Sequence, residues 1–185
     1  MFGGSFDPPH LAHLKIIKYC SINFDKLIIV PANKSPMKEY SPIASFHARV
    51  QMLELMTSDI SDNIDIDTYE FDSGQENSYT IHTVKYLLEK YNTDKIFLVL
   101  GSDQLEKFSL WKDFDELKEL VEILCFSRPG FPFIPINFSY EKNKNLNIDF
   151  SSSDVRKMFY KGSQNVSKFI SGDVNDYVIQ NRLYC

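Results

Sequence analysis

Apolar residues recur along this chain with two different periods. Leu11, Leu14, Ile17 and the neighbouring Lys18 fall at helical spacing, which predicts a helix from about His10 to Tyr19. Leu27-Ile28-Ile29-Val30 is an unbroken apolar run of strand length. Phe46, Val50, Leu53 and Met56 repeat the helical period behind Ser45, a residue suited to capping it, and leave Arg49 on the flank of a packing helix. Ile64 to Phe71 alternates apolar and acidic residues, predicting a strand with one wet face before the polar turn Asp72 to Asn77. A helix capped by Ser or Thr opens at Ser78-Tyr79-Thr80 and reaches about Tyr91; Ile96 to Leu100 and Val121 to Phe126 are further buried strands. Pro129 to Asn147, rich in Pro, Asn and Lys, reads as an extended excursion that is either an interface or a loop. Ser151-Ser152-Ser153 then stand before an apolar run as a helix cap.

Strands alternating with helices imply a parallel sheet with right-handed crossovers, a doubly wound α/β fold that binds ligands beyond the carboxyl ends of its strands. With 185 residues, 43% of them hydrophobic, the chain is expected to form a single domain spanning 1–185.

Charge and composition narrow the function. A net charge of -5 argues against a general grip on nucleic acid, which rests on a basic face, while a small anion needs only a local cluster of donors. No stretch approaches the roughly 18 apolar residues of a membrane span, and no charged leader with an apolar core opens the chain, so a cytoplasmic location is expected. Cys20, Cys125 and Cys185 are isolated and lack zinc-ligand spacing, which predicts reduced thiols and no metal centre.

The densest chemistry lies in Gly3-Gly4-Ser5-Phe6-Asp7-Pro8-Pro9-His10-Leu11-Ala12-His13. Gly3 and Gly4 are expected to let the backbone approach a phosphate and to supply positive φ, with their N–H groups as donors. His10 and His13 share one face at a helix N-terminus, where free N–H groups favour anions. The loop Pro31 to Lys38 places two lysines and Asn33 past a strand end, as a solvated loop or as phosphate partners. Gly101-Ser102-Asp103 turns off another strand, Trp111 is either core or a stacking platform, and Arg128 lies on a turn at the ligand edge or in solvent. Three serines, a fresh helix N-terminus and Arg156 on its first turn make an acceptor site for phosphate oxygens.

The first string resembles the signature of the nucleotidylyltransferase superfamily, a glycine-rich start followed by His-x-Gly-His, with Ala12 in place of Gly. Phe150-Ser151-Ser152-Ser153-Asp154-Val155-Arg156 resembles its second signature, Ile-Ser-Ser-Thr-x-Ile-Arg. Between them, Pro31-x-Asn33 with Lys38, Ser78-Tyr79-Thr80, the string from Gly101 through Phe108 and Trp111 to Leu117, and Arg128-Pro129-Gly130 are similar to the nicotinate mononucleotide adenylyltransferases of NAD synthesis. Met37 replaces a usual His, and His82, where Asp, Glu or Gln is usual, is assigned no role. Val174, Tyr177, Val178 and the Leu183-Tyr184 end match the family's closing helix.

The resemblance implies a Rossmann-like sheet with helices on both faces. It also implies adenylyl transfer from ATP to nicotinate mononucleotide, giving deamido-NAD and pyrophosphate. A phosphate nucleophile is already anionic and needs no general base, so alignment, worth about 7 to 11 kcal/mol when reactants are well held, and charge stabilisation carry the catalysis. His10, His13, Arg156 and Lys38 are the implied catalytic residues, and Gly3, Gly4, Ser5, Phe6, Gly101, Asp103, Ser152 and Ser153 the implied ATP ligands. Asn33, Tyr79, Thr80, Trp111 and Arg128 are the implied mononucleotide ligands, with magnesium travelling on ATP because no carboxylate cluster cages it. Pantetheine-phosphate adenylyltransferases share the two signatures and are the alternative. Only Met1 and Phe2 precede Gly3, where the superfamily has a strand of about five or six residues. A first strand cut short is therefore expected, with a catalytically weak nucleotide binder as a further alternative.

Overall fold

The computed structural model describes residues 1–37, 40–134, 138–143, 150–163 and 165–185. Six parallel strands, β1 (Phe2–Gly4), β2 (Leu27–Pro31), β3 (Ile64–Ile66), β4 (Ile96–Gly101), β5 (Val121–Phe126) and β6 (Glu141–Asn143), form one sheet in the order β3-β2-β1-β4-β5-β6. Helices α1 (Leu11–Asn23), α2 (Phe46–Thr57), α3 (Tyr69–Asp72), α4 (Thr80–Tyr91), α5 (Ser102–Leu105), α6 (Phe114–Leu120), α7 (Ser152–Tyr160) and α8 (Gly172–Gln180) connect and follow them.

Both faces of the sheet are covered, which is why its strands are apolar at consecutive positions rather than alternate ones. Ile29, Val99, Leu124 and Phe126 pack with Ile17, Leu53, Val155 and Val178 on one side; Ile28, Val30, Leu98, Leu100 and Ile123 pack with Ile81, Leu87, Leu105 and Leu117 on the other. Cys20 and Cys125 are buried free thiols whose pKa values burial pushes up to about 11 and about 12. No helix among the described residues is long and apolar enough to cross a membrane.

Four local expectations change. The first helix continues past Tyr19 to Asn23, because Cys20 extends the buried stripe one turn beyond Ile17 and Phe24 N–H closes on the Cys20 carbonyl. The strand predicted over Ile64 to Phe71 stops at Ile66: the Asp67 carboxylate accepts the Tyr69 N–H and turns the chain into α3. The excursion after Pro129 contains β6, which pairs with β5 and, with exposed Glu141 and Lys142, has the charged composition of an edge rather than an apolar alternation. The cap of α4 is Tyr79, without a side-chain cap; the Ser78 hydroxyl accepts N–H groups from Asn33 and Lys34 instead.

The first strand is only three residues long, yet it is central. Phe2, Gly3 and Gly4 pair with Ile29, Val30 and Pro31, and Phe2 also pairs with Val99. Met1 adds a bond to each side of this pairing with β4, donating to Phe97 O and accepting from Val99 N. The loop after Gly4 therefore begins at the carboxyl edge of the sheet.

Candidate active site

Strand order reverses between β1 and β4, which opens a crevice at the carboxyl edge of the sheet. Gly4 is level with Pro31, and Gly101 with Phe126, so the four loops that leave these strands start side by side.

The loop after β1 places His10 as the N-cap of α1 and His13 in its first turn, with the two rings stacked at 3.7 Å between centroids. The His10 backbone N–H donates to His13 Nδ1 at 3.1 Å, which leaves the His13 proton on Nε2. His10 is 5% exposed, and burial, then the Arg128 charge, push its pKa down to about 4, so in the free protein it is a neutral ring rather than a cation. Its Nδ1 is buried with no hydrogen-bond partner among the described residues.

The glycines work differently from expectation. Neither Gly3 nor Gly4 has positive φ; the left-handed residue of this loop is Phe6, at φ 47°. A side chain on Gly4 would meet the Phe6 ring at 3.0 Å, so Gly4 is small to admit that ring. The Phe6 side chain is buried, edge-on to His13 at 4.9 Å and to Phe2 at 5.4 Å, and packs beneath the histidine.

Helix α7 closes over the same loop. Ser151 caps it and exchanges bonds with Asp154 in a capping box. The Ser152 hydroxyl donates to the Pro8 carbonyl at 2.9 Å, while Arg156 donates to the Asp7 carbonyl at 2.6 Å and to Ser153 Oγ at 3.1 Å. Residues far apart in sequence thus bring two histidines, an arginine and a helix N-terminus around one turn.

Asp103 and Arg128 meet across the ends of β4 and β5, at 2.8 Å. A side chain on Gly101 would lie 2.5 Å from Asp103 Oδ1, so the glycine makes room for this carboxylate. Ser102, 3% exposed, accepts the Arg128 N–H and donates to Phe131 O, framing an open hollow of about 370 Å³ lined by Ser127 to Phe133. Arg128 thereby groups with Asp103 and His10.

A second cluster forms beyond β2. Asn33 donates to Gln75 O at 3.3 Å and, through its backbone, to Ser78, which fixes the loop against the open N-terminus of α4 at Tyr79 and Thr80. Lys112 Nζ lies 4.5 Å over the Tyr79 ring and 3.3 Å from His82 Nε2. Trp111, beside it, is half-buried and edge-on to Phe108 at 5.1 Å, its Nε1 without a partner among the described residues. Lys34 is paired with Glu76 at 3.0 Å, and Lys38 lies outside the described residues.

Sequence reasoning missed what joins the two clusters. Arg49, read as flank packing, is 1% exposed, and its Nη1 donates to Ser5 O at 2.7 Å and Ala32 O at 2.8 Å, one carbonyl from each loop. The signal was present: Phe46, Arg49, Met52, Leu53 and Met56 are the buried stripe of α2, so a cation stood at a core position. Glu70, also buried, accepts from Thr83 at 2.8 Å, and burial raises its pKa against Ser78, Thr83, Asn33 and Arg49. Asp7 is 3% exposed and takes N–H bonds from Ile43 and Ala44 and an O–H bond from Tyr184.

Residues 1–158 match the family described as cytidylyltransferase-like. The chain is 32% identical over 193 residues to the probable nicotinate-nucleotide adenylyltransferase of Leptospira interrogans, covering 100% of this chain and 95% of that protein. It is 30% identical over 187 residues to a protein of the same name from Methylacidiphilum infernorum, covering 100% and 90%. Its fold is similar to that of Plasmodium falciparum nicotinic acid mononucleotide adenylyltransferase complexed with APC, with a TM-score of 0.80 and 24% identity over 99% of this chain and 94% of that one.

Proposed function

The chain belongs to the cytidylyltransferase-like family and, within it, to the nicotinate-nucleotide adenylyltransferases, and on that premise we propose how this site carries out adenylyl transfer. The substrates are ATP and nicotinate mononucleotide. A 5'-phosphate oxygen of the mononucleotide forms a bond to the α-phosphorus of ATP as the α–β bridging bond breaks, giving deamido-NAD and pyrophosphate.

The observation that supports the residue roles best is the convergence of His10, His13 and the N-terminus of α7, with Arg156, on the Asp7-Pro8 turn. His13 Nε2–H donates to a phosphate oxygen, and neutral His10 adds a hydrogen bond whose ring gains a proton only as phosphate charge arrives. Arg156 and the free N–H groups at the start of α7 take charge developing on the departing pyrophosphate. Gly3, Gly4, Ser5, Ser152 and Ser153 line the approach, and Asp103 holds Arg128, expected among the mononucleotide ligands, on the ATP side instead.

Nicotinate is read at the second cluster. The uncapped N-terminus of α4 offers N–H groups to a carboxylate, Lys112 adds positive charge beside Tyr79, and Asn33 orders the loop opposite. Trp111 flanks the pyridine ring.

Among the described residues no group of three or more His, Cys, Asp or Glu side chains is arranged to hold an ion. Magnesium carried on the triphosphate would screen the phosphate charges. Incubation of the chain with ATP, magnesium and nicotinate mononucleotide is expected to yield a product of deamido-NAD mass with equimolar pyrophosphate; hydrolysis of ATP without dinucleotide would overturn the reading.

A further inference from the structure

Beyond α8 the backbone is left-handed at Arg182, φ 51°, and at Tyr184, φ 62°. Large side chains rarely adopt this conformation, and it persists where surrounding contacts hold it. Here it turns the Tyr184 ring inward: the residue is 8% exposed and its hydroxyl donates to Asp7 Oδ1 at 2.7 Å. Burial and the Asp7 carboxylate both raise the pKa of this phenol, so the phenol stays a donor.

The same carboxylate accepts the N–H groups of Ala44 at 3.0 Å and Ile43 at 2.8 Å, and lies 3.5 Å from Arg156 Nη1. That nitrogen also donates to the Asp7 carbonyl at 2.6 Å. Arg156 is thus seated on a residue whose own side chain is fixed by Tyr184.

We propose that Tyr184 is a positioning residue for adenylyl transfer, setting through Asp7 the place where the Arg156 guanidinium meets the triphosphate. This rests on the reading of Arg156 as a triphosphate partner. The hydroxyl makes no contact with the substrates; it restricts the turn to which Arg156, on α7, is hydrogen-bonded.

The test is a double-mutant cycle of Tyr184→Phe and Arg156→Gln, read as kcat and KM for both substrates. Tyr184→Phe is expected to lower kcat about tenfold with KM values changed less than about twofold. In the Arg156→Gln background it is expected to have no further effect, because neighbours acting through one group are not additive. Multiplicative effects, or a Tyr184→Phe change confined to melting temperature, overturn the proposal. If Tyr184→Phe does not fold, Asp7→Asn in the same cycle takes its place with the same two expectations. The Arg156 side-chain N–H resonance, assigned by its loss in Arg156→Gln, separates this proposal from the functional reading. Displacement of that resonance in Tyr184→Phe supports the positioning role whichever acceptor the protein uses, and an unmoved resonance contradicts it. Absence of turnover in the parent chain contradicts the functional reading alone.

Discussion

His10 holds His13 in two ways at once: its ring stacks on the His13 ring at 3.7 Å, and its backbone N–H donates to His13 Nδ1 at 3.1 Å. The second contact leaves the ring proton on Nε2, the atom proposed to donate to a phosphate. A glutamine places its amide near the position of Nε2, whereas an asparagine reaches only as far as Nδ1. His13→Gln is therefore expected to retain about tenfold more kcat than His13→Asn. Equal loss in the two variants would show that the direction of the proton is unimportant.

The burial of His10 has a consequence for stability. Its pKa is about 4 in the folded protein, against 6.5 ordinarily, so between these values the unfolded chain binds a proton that the folded one does not. The contribution is complete above pH 6.5 and is lost as pH falls towards 4. At 1.36 kcal/mol per unit it amounts to about 3 kcal/mol. Urea unfolding of the parent chain and His10→Gln from pH 4 to 7 is expected to show this slope in the parent and its absence in the variant.

Much of this was legible in the sequence, and the reason is local. The runs Leu27 to Val30, Ile96 to Leu100 and Val121 to Phe126 carry their own strand signal, and Leu11, Leu14 and Ile17 carry the first helix by their spacing. What escaped depends on partners distant in the chain. Asp7 meets Ile43, Ala44, Arg156 and Tyr184, and nothing near Asp7 announces them. Phe6 reads in sequence as part of a phosphate loop because of the residue types around it; only the fold shows that its ring enters the space left by Gly4. The edge strand β6 gave no signal because a charged edge has no alternation to read.

Arg49 connects the two halves of the site through the Ser5 and Ala32 carbonyls. Arg49→Met removes the donor that the two carbonyls share and the cation near Asp7 and Glu70. Unfolding in urea is expected to show a loss of about 3 to 5 kcal/mol, and the loosened loops to lower kcat about 100-fold. A variant within about 0.5 kcal/mol of the parent, the range of an ordinary surface change, contradicts the bridging role.

Lys112 stands over the Tyr79 ring beside the open end of α4. Partly exposed charges act weakly, so Lys112→Met is expected to reduce the preference for nicotinate over nicotinamide mononucleotide only about two- to fivefold. The ratio of the two kcat/KM values measures this directly. A preference that stays unchanged assigns the discrimination to the backbone N–H groups alone.

Pyrophosphate release from ATP with magnesium, with nicotinate mononucleotide, nicotinamide mononucleotide and phosphopantetheine offered separately, tests the central claim. Release is expected to be fastest with nicotinate mononucleotide and to fall at least about 100-fold in His13→Ala. Turnover with phosphopantetheine alone, or undiminished turnover without His13, would contradict it.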